Sequence, residues 1–278
     1  MRLDQGPVAA RQWDACTRNN PECRDPRGAV THAFVWTWLA LAFAQGCAHH
    51  LPSPNATPRD DVTLMPIADG VFVHTTWKTL PGMGPVASNG VLACDEGDGL
   101  LVDTAWNDAQ TARLLDLAAE RGCPVRALVV THSHEDRMGG LAEVLRRGIA
   151  TYALPDTVAR ARIDAWQPSL VVSPQTVRAG QVSAEVFFPG AAHAPDNVVV
   201  WLSGSKVLFG GCMVRAASGE TLGNVADADI RAWPESVRRV IARYGDAVRV
   251  VPGHGATGGT ELLAHTLALA EAAQSQGR

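Results

Sequence analysis

The stretch Ala127-Leu128-Val129-Val130-Thr131-His132-Ser133-His134-Glu135-Asp136 joins an apolar run to two imidazoles and a carboxylate at alternate positions. The apolar part reads as a buried strand, so the His-rich part is a loop held on a rigid edge. Imidazole suits zinc, and a carboxylate one step further along reaches a second ion. Chance predicts only about 0.02 H-x-H-x-D matches in a chain of this composition. Alone, the pattern marks a metal site open to many chemistries, and the remaining ligands must narrow it.

Three candidates sit at the ends of other predicted strands. His193 precedes the strand 197–202, Cys212 follows 206–209, and His254 follows 248–251. Their loops are marked by glycine or proline: Pro189-Gly190-Ala191-Ala192-His193, Gly210-Gly211-Cys212 and Pro252-Gly253-His254-Gly255. Glycine there permits the close backbone approach that a metal pocket needs. Sorted by chemistry, His132, His134 and His193 would hold one tetrahedral zinc with its fourth position open, and Asp136, Cys212 and His254 would hold a second. A hydroxide between the two ions is a nucleophile at neutral pH, because coordination pulls the pKa of water down to about 7. A lone loop His is usually solvated and a lone Cys is usually core filler. It is the conjunction that speaks for metal.

The 278 residues, 46% hydrophobic and 19% charged, make an ordinary globule with ample core. A net charge of −4 with no Lys/Arg-rich block argues against a nucleic-acid partner. Residues 33–44 (AFVWTWLALAFA) form an apolar run of signal-peptide length, too short to span a bilayer. Pro52, Pro54 and Pro58 follow as a linker, which disfavours a buried core helix. Ala44-Gln45-Gly46-Cys47 resembles a bacterial lipoprotein box, leaving lipidation at Cys47 and simple cleavage as the alternatives. The expected organisation is a leader over 1–47, a linker over 48–60 and one catalytic domain over 61–278. Export to the periplasm of a Gram-negative bacterium follows, with membrane contact only through an anchor at Cys47. Cys94 and Cys123 have the option of pairing there, but read first as small buried hydrophobes.

Residues 62–67 and 71–77 read as strands about Asp69-Gly70, and 86–93 and 100–102 as two more. A helix over 107–121 and a strand over 125–130 lead to the His-rich loop. A short helix near 141–147, a helix from Pro155, and strands over 181–188, 197–202 and 206–209 come next. A helix over 230–244, a strand over 248–251 and a helix over 260–273 close the chain. This order predicts an α/β (α+β) arrangement of sheets covered by helices.

The set His132-x-His134-x-Asp136-Arg137, Gly190-Ala191-Ala192-His193-Ala194-Pro195-Asp196-Asn197, Gly210-Gly211-Cys212 and Gly253-His254-Gly255 resembles a class B metallo-β-lactamase. The likeness is to the subclass with three His on one zinc and Asp, Cys and His on the other. It extends through the segments 77–90, 103–106 and 222–229 and covers about residue 61 onward. Thioester hydrolases of the wider superfamily resemble H-x-H-x-D-H, where this chain has Arg137, and carry a bridging Asp where it has Cys212. A soft thiolate favours the β-lactamase branch.

The resemblance implies a single-domain, four-layer αββα sandwich with two zinc ions at the edge between its sheets. It implies a monomer hydrolysing the ring amide of penicillins, cephalosporins and carbapenems by zinc-bound hydroxide, conferring β-lactam resistance. Asp136 would also orient the hydroxide, and Asn224 would stabilise the oxyanion. Arg215 would contact the substrate carboxylate. An exposed surface Arg and an Asn taking a turn beside Gly223 are the competing readings. Residues 79–85 would form a mobile hairpin loop, with Trp77, Leu80 and Met83 covering the substrate and Trp106 walling the pocket. Core packing competes for both tryptophans. Arg137 is expected beneath the metals, Glu135 in solvent, and His49, His50, His74 and His265 outside the site. Ala194 departs from the family's usual hydroxyl residue without removing a ligand.

Overall fold

The computed structural model describes residues 62–276, so the leader, the linker, Cys47, His49 and His50 lie outside the described residues. The first sheet opens with β1 (Val62–Ala68), β2 (Val71–Leu80), β3 (Gly84–Asp95) and β4 (Asp98–Val102), each antiparallel to the last. It continues in parallel through β5 (Val125–Val129), β6 (Ala150–Ala153) and β7 (Ser169–Leu170). The second sheet holds β8 (Gln175–Ala179), β9 (Val182–Phe187), β10 (Val199–Leu202) and β11 (Val207–Gly211) in antiparallel order. Its edge strand β12 (Arg249–Pro252) lies parallel to β11.

Successive side chains of a strand face opposite ways, and here both ways are apolar. Val91, Leu100, Val102, Val200, Phe209 and Val251 meet between the two sheets. Their neighbours Leu92, Leu101 and Leu128 face out from the first sheet toward Leu114 and Leu115 of α1 (Asp108–Glu120) and Leu141 and Val144 of α3 (Leu141–Arg146). Val199, Leu208 and Val250 face out from the second toward Val237 and Val240 of α5 (Trp233–Tyr244) and Leu262 of α6 (Glu261–Gln276). Three apolar layers separate four structural ones, so the architecture is the expected αββα sandwich. Each fully buried Leu, Val or Phe contributes about 1.5–3 kcal/mol.

The differences from the sequence reading have local causes. Helix α4 (Pro155–Ala161) begins at Pro155 as read, whereas the strands β6, β7 and β8 and the four-residue α2 (Glu135–Met138) were not expected. They are short, and β8 buries only Val177 and Ala179. Helix α5 begins at Trp233, three residues later than residue 230, because Asp229 accepts the Ala232 N–H through Oδ1 (2.9 Å) and Pro234 stands in the first turn. The reading of Cys94 and Cys123 as separate buried hydrophobes is corrected: they form a disulfide with Cα atoms 5.7 Å apart. Gly99 lies between them, paired with Cys94 across β3–β4 and bonded to Pro124 C=O (3.0 Å) on its other side. A Cβ on Gly99 would stand 2.9 Å from Cys123 Sγ, so only glycine leaves the sulfurs room to meet.

Candidate metal centre

Strand β5 is buried on both faces and ends at Val129, which fixes where Thr131 and His132 emerge. Asp103, at the end of β4, accepts the Thr131 N–H and hydroxyl at 2.8 Å each, clamping the loop from below. His134 then caps α2, placing Asp136 in its first turn beside buried Arg137. His193 comes from the loop between β9 and β10, Cys212 from the end of β11, and His254 from the end of β12. All six predicted ligands therefore collect at one end of the sandwich.

Donor atoms of His132, His134 and His193 lie within 4.8 Å of one another, as do those of His132, Asp136 and Cys212. His254 joins the second group, its Nε2 3.2 Å from Asp136 Oδ2 and 3.4 Å from Cys212 Sγ. The imidazoles are oriented from behind. His254 Nδ1–H donates to Ala87 C=O (2.6 Å), and His134 Nε2–H donates to Asp227 Oδ2 (3.0 Å), leaving Nε2 and Nδ1 respectively to face the cluster. The Thr131 hydroxyl gives its proton to Asp103 and stands 3.3 Å from His132 Nδ1 as acceptor. His132 Nε2 is buried with no partner among the described residues. A buried, unpaired lone pair at the point where two donor groups overlap fits a cation.

The electrostatics agree. Burial pushes the His132 pKa well below its ordinary value and that of His193 down to about 4, so both rings are neutral and able to ligate. Burial opposes the Asp136 charge, but Arg137 and the neighbouring imidazoles outweigh it and hold the carboxyl well below the usual range. His254 is driven the other way. Burial would lower it, yet Cys212 and Asp136 raise it to about 10. A proton held between a carboxylate, a sulfur and an imidazole marks a place that favours positive charge, which a divalent metal would take over. Gly253 makes the geometry feasible, since a Cβ there would stand 2.6 Å from Cys212 Sγ.

Arg137 is fully buried beneath this cluster, as expected, with Nη2 2.6 Å from Asp136 Oδ2 and Nη1 3.4 Å from Asp103 Oδ2. Burial moves Asp103 up to about 7 against the pull of Arg137. Glu135 is exposed and pairs with Lys78. His74 is buried with Nε2 3.2 Å from Val102 C=O, and His265 reaches Gly219 C=O at 2.8 Å, so neither joins the ligands.

The substrate-side candidates are spread around this end. Trp106 is buried, its Nε1 has no partner among the described residues, and Lys78 Nζ stands 5.6 Å from its ring centre. Trp77 and Leu80 are half-buried on β2, while Met83 is 71% exposed at the hairpin tip. The hairpin is more regular than expected, with β2 and β3 paired as far as Leu80 and Gly84. Asn224 is exposed, and its Oδ1 accepts the Ala226 N–H at 3.1 Å, the turn conformation weighed as its competing reading. Arg215 is half-buried, donates from Nε to Thr221 C=O at 3.0 Å, and lies against Gly223. Burial lowers its pKa.

The segment 221–229 therefore runs from Arg215 to the back of His134. Asp227 was not singled out in the sequence, although it lies in a segment quoted for the resemblance. Asp196 was likewise missed. It accepts the Ser133 N–H through Oδ2 at 2.9 Å and ties the first ligand loop to that of His193.

The model of the metallo-beta-lactamase superfamily matches residues 83–254. A metallo-beta-lactamase type 2 of Bacillus cereus is 36% identical over 239 residues, which is 85% of this chain and 92% of that protein. One from Bacteroides fragilis is 35% identical over 74% of this chain and 84% of its own length. Among solved structures, the FIM-1 metallo-beta-lactamase of Pseudomonas aeruginosa in its mono-zinc form superposes with a TM-score of 0.71. It is 37% identical, covering 77% of this chain and 96% of that one. A model spanning more than half the chain, and relatives at this identity over nearly their whole length, agree with the fold and donor set, and the chain belongs to the metallo-β-lactamase superfamily.

Proposed function

We propose that this chain hydrolyses the ring amide of β-lactams, namely penicillins, cephalosporins and carbapenems, and so confers resistance to them. The observation that carries the reading is the pair of adjoining donor groups, three imidazoles beside Asp136, Cys212 and His254. Its named relatives are metallo-beta-lactamases. His132, His134 and His193 would hold one zinc ion, and Asp136, Cys212 and His254 a second. Zinc bound there supplies Lewis-acid polarisation and brings the pKa of water near neutrality.

The chain's own residues do the rest. Asp136, kept ionised by Arg137, is placed to orient a water proton. Arg215 supplies a cation for the substrate carboxylate, freeing Nη1 and Nη2 while Nε holds Thr221 C=O. Asn224 would leave its turn to donate an amide N–H to the developing oxyanion. Trp106 and the 79–85 hairpin would flank the apolar substituents and exclude water. No Ser or Lys nucleophile is called for, so no acyl-enzyme forms.

We place the enzyme in the periplasm as a monomer, and the Cys94–Cys123 disulfide suits that oxidising compartment. Mass spectrometry of a penicillin and a carbapenem after incubation with the mature chain tests the reaction. Both are expected to gain one water, with no adduct on the protein. Unchanged substrate in both cases would overturn the reading.

A further inference from the structure

Among the described residues, the arm of the β2–β3 hairpin has no neighbouring strand on either side. Strand β1 pairs with β2 only as far as Thr76, and β4 pairs with β3 only from Val91 onward. Residues 77–80 and 84–87 thus project as a two-stranded ribbon, which is marginally stable by itself, from a root at Ser88, Asn89 and Gly90 that is buried. Its direction is set where it is bolted down.

On the β3 side the bolts run to the ligand-bearing loops: Ala87 C=O accepts from His254, the Ser88 hydroxyl donates to Asp136 C=O at 3.0 Å, and the Asn89 N–H donates to Gly253 C=O at 2.8 Å. On the β2 side, Gln110 Nε2 donates to Trp77 C=O at 2.7 Å, and one position further out Lys78 reaches Glu135 Oε1 at 2.5 Å. The same ammonium stands 5.6 Å from the centre of the Trp106 ring. Among the described residues, the hairpin's hydrogen bonds beyond Lys78 are its own, ending with Met83 N–H to Leu80 C=O at 3.1 Å.

We propose that Lys78 and Glu135 form a latch that sets how closely the hairpin lies over the cleft, making them positioning residues for substrate selectivity. Glu135 sits between the ligands His134 and Asp136, so the latch joins the flap directly to the metal-bearing turn. Trp106 beneath the ammonium adds a cation–π contact on the pocket wall. The inference rests on the proposed hydrolysis only for its effect on substrates, since the mechanical coupling is independent of turnover. An exposed pair with an aromatic contact can hold the flap closed by a factor of about three to ten, and salt will weaken it.

The test compares Lys78→Met, Glu135→Gln, the charge swap Lys78→Glu/Glu135→Lys, and Lys78→Arg. Amide exchange over residues 79–86 is expected to quicken about three- to tenfold in the first two and to recover in the other two. KM for β-lactams with bulky apolar substituents should rise by a similar factor with kcat unchanged, and the wild-type KM should drift the same way at high salt. Unchanged exchange and KM in both single variants, or a swap no better than the singles, would overturn the latch. Faster exchange in an enzyme that opens no β-lactam would count against the proposed activity and in favour of the latch.

Discussion

Removing the Cys94–Cys123 cross-link should lower stability by about 3–4 kcal/mol while leaving the metal centre working. The two cysteines are 29 positions apart. The chain-entropy relation for a loop of that size returns about 12 cal/mol/K, or about 3.6 kcal/mol at 25 °C. For a domain of this length each kcal/mol moves the melting temperature by about 2–4 °C, so the double variant Cys94→Ser/Cys123→Ser should melt about 7–14 °C lower. The site should be spared, because Cys94 pairs with Gly99 at the start of β4 while the ligands collect beyond the other end of that strand. Calorimetry on both proteins, with activity measured well below either transition, is the assay. A shift under about 2 °C would refute the cross-link as a stabilising element, and lost activity in a folded variant would refute its separation from the site.

Further outcomes follow from the buried groups. Asp227→Ala releases His134 Nε2 and is expected to weaken metal affinity about 10- to 100-fold, measurable by competition with a chromophoric chelator; unchanged affinity would remove Asp227 from the centre. Arg137→Met leaves the Asp136 and Asp103 carboxyls buried without their cation and should cost about 3–5 kcal/mol in denaturant unfolding. His74 supplies a pH dependence. Burial lowers its pKa to about 4 from an unfolded value near 6.5, so below that value the unfolded chain binds the extra proton. Its contribution is therefore complete above about pH 7 and lost as pH falls toward 4, amounting to about 3 kcal/mol at most. A His74→Gln variant should show a correspondingly shallower loss of stability on acidification, and equal slopes would contradict the assignment.

The six donor side chains were legible in the sequence because each stands at the end of an apolar run, in a loop marked by glycine or proline. Apart from Arg126, Asn197 and Lys206, runs such as 125–130, 197–202 and 206–209 are apolar on both faces, which is what a strand buried between a second sheet and a helix layer requires. Elements without such a run escaped notice, as ATYA of β6 and QTVRA of β8 show. The disulfide was one option in the sequence and not its first reading, for a different reason. Its partners are joined by the β3–β4 register and the β4–β5 approach, which are tertiary facts, whereas either cysteine alone looks like core.

Asp227 and Asp196 show the same limit inside the site. A carboxylate that orients a ligand from another loop carries no local pattern, and only the fold reveals that it faces His134 or Ser133. Asn224 sits between these cases, visible in its motif yet held in a turn.

Six side chains from four loops converge at one end of the sandwich to make a metal-dependent β-lactam hydrolase. The most direct measurement is the turnover of a chromogenic cephalosporin by the purified protein as free zinc is first removed by a chelator and then restored. Activity is expected to vanish on removal, return on restoration, and fall sharply at every zinc level in Cys212→Ser. Turnover that survives complete chelation, or no turnover at saturating zinc, would rule out a metal-dependent β-lactam hydrolase at this site.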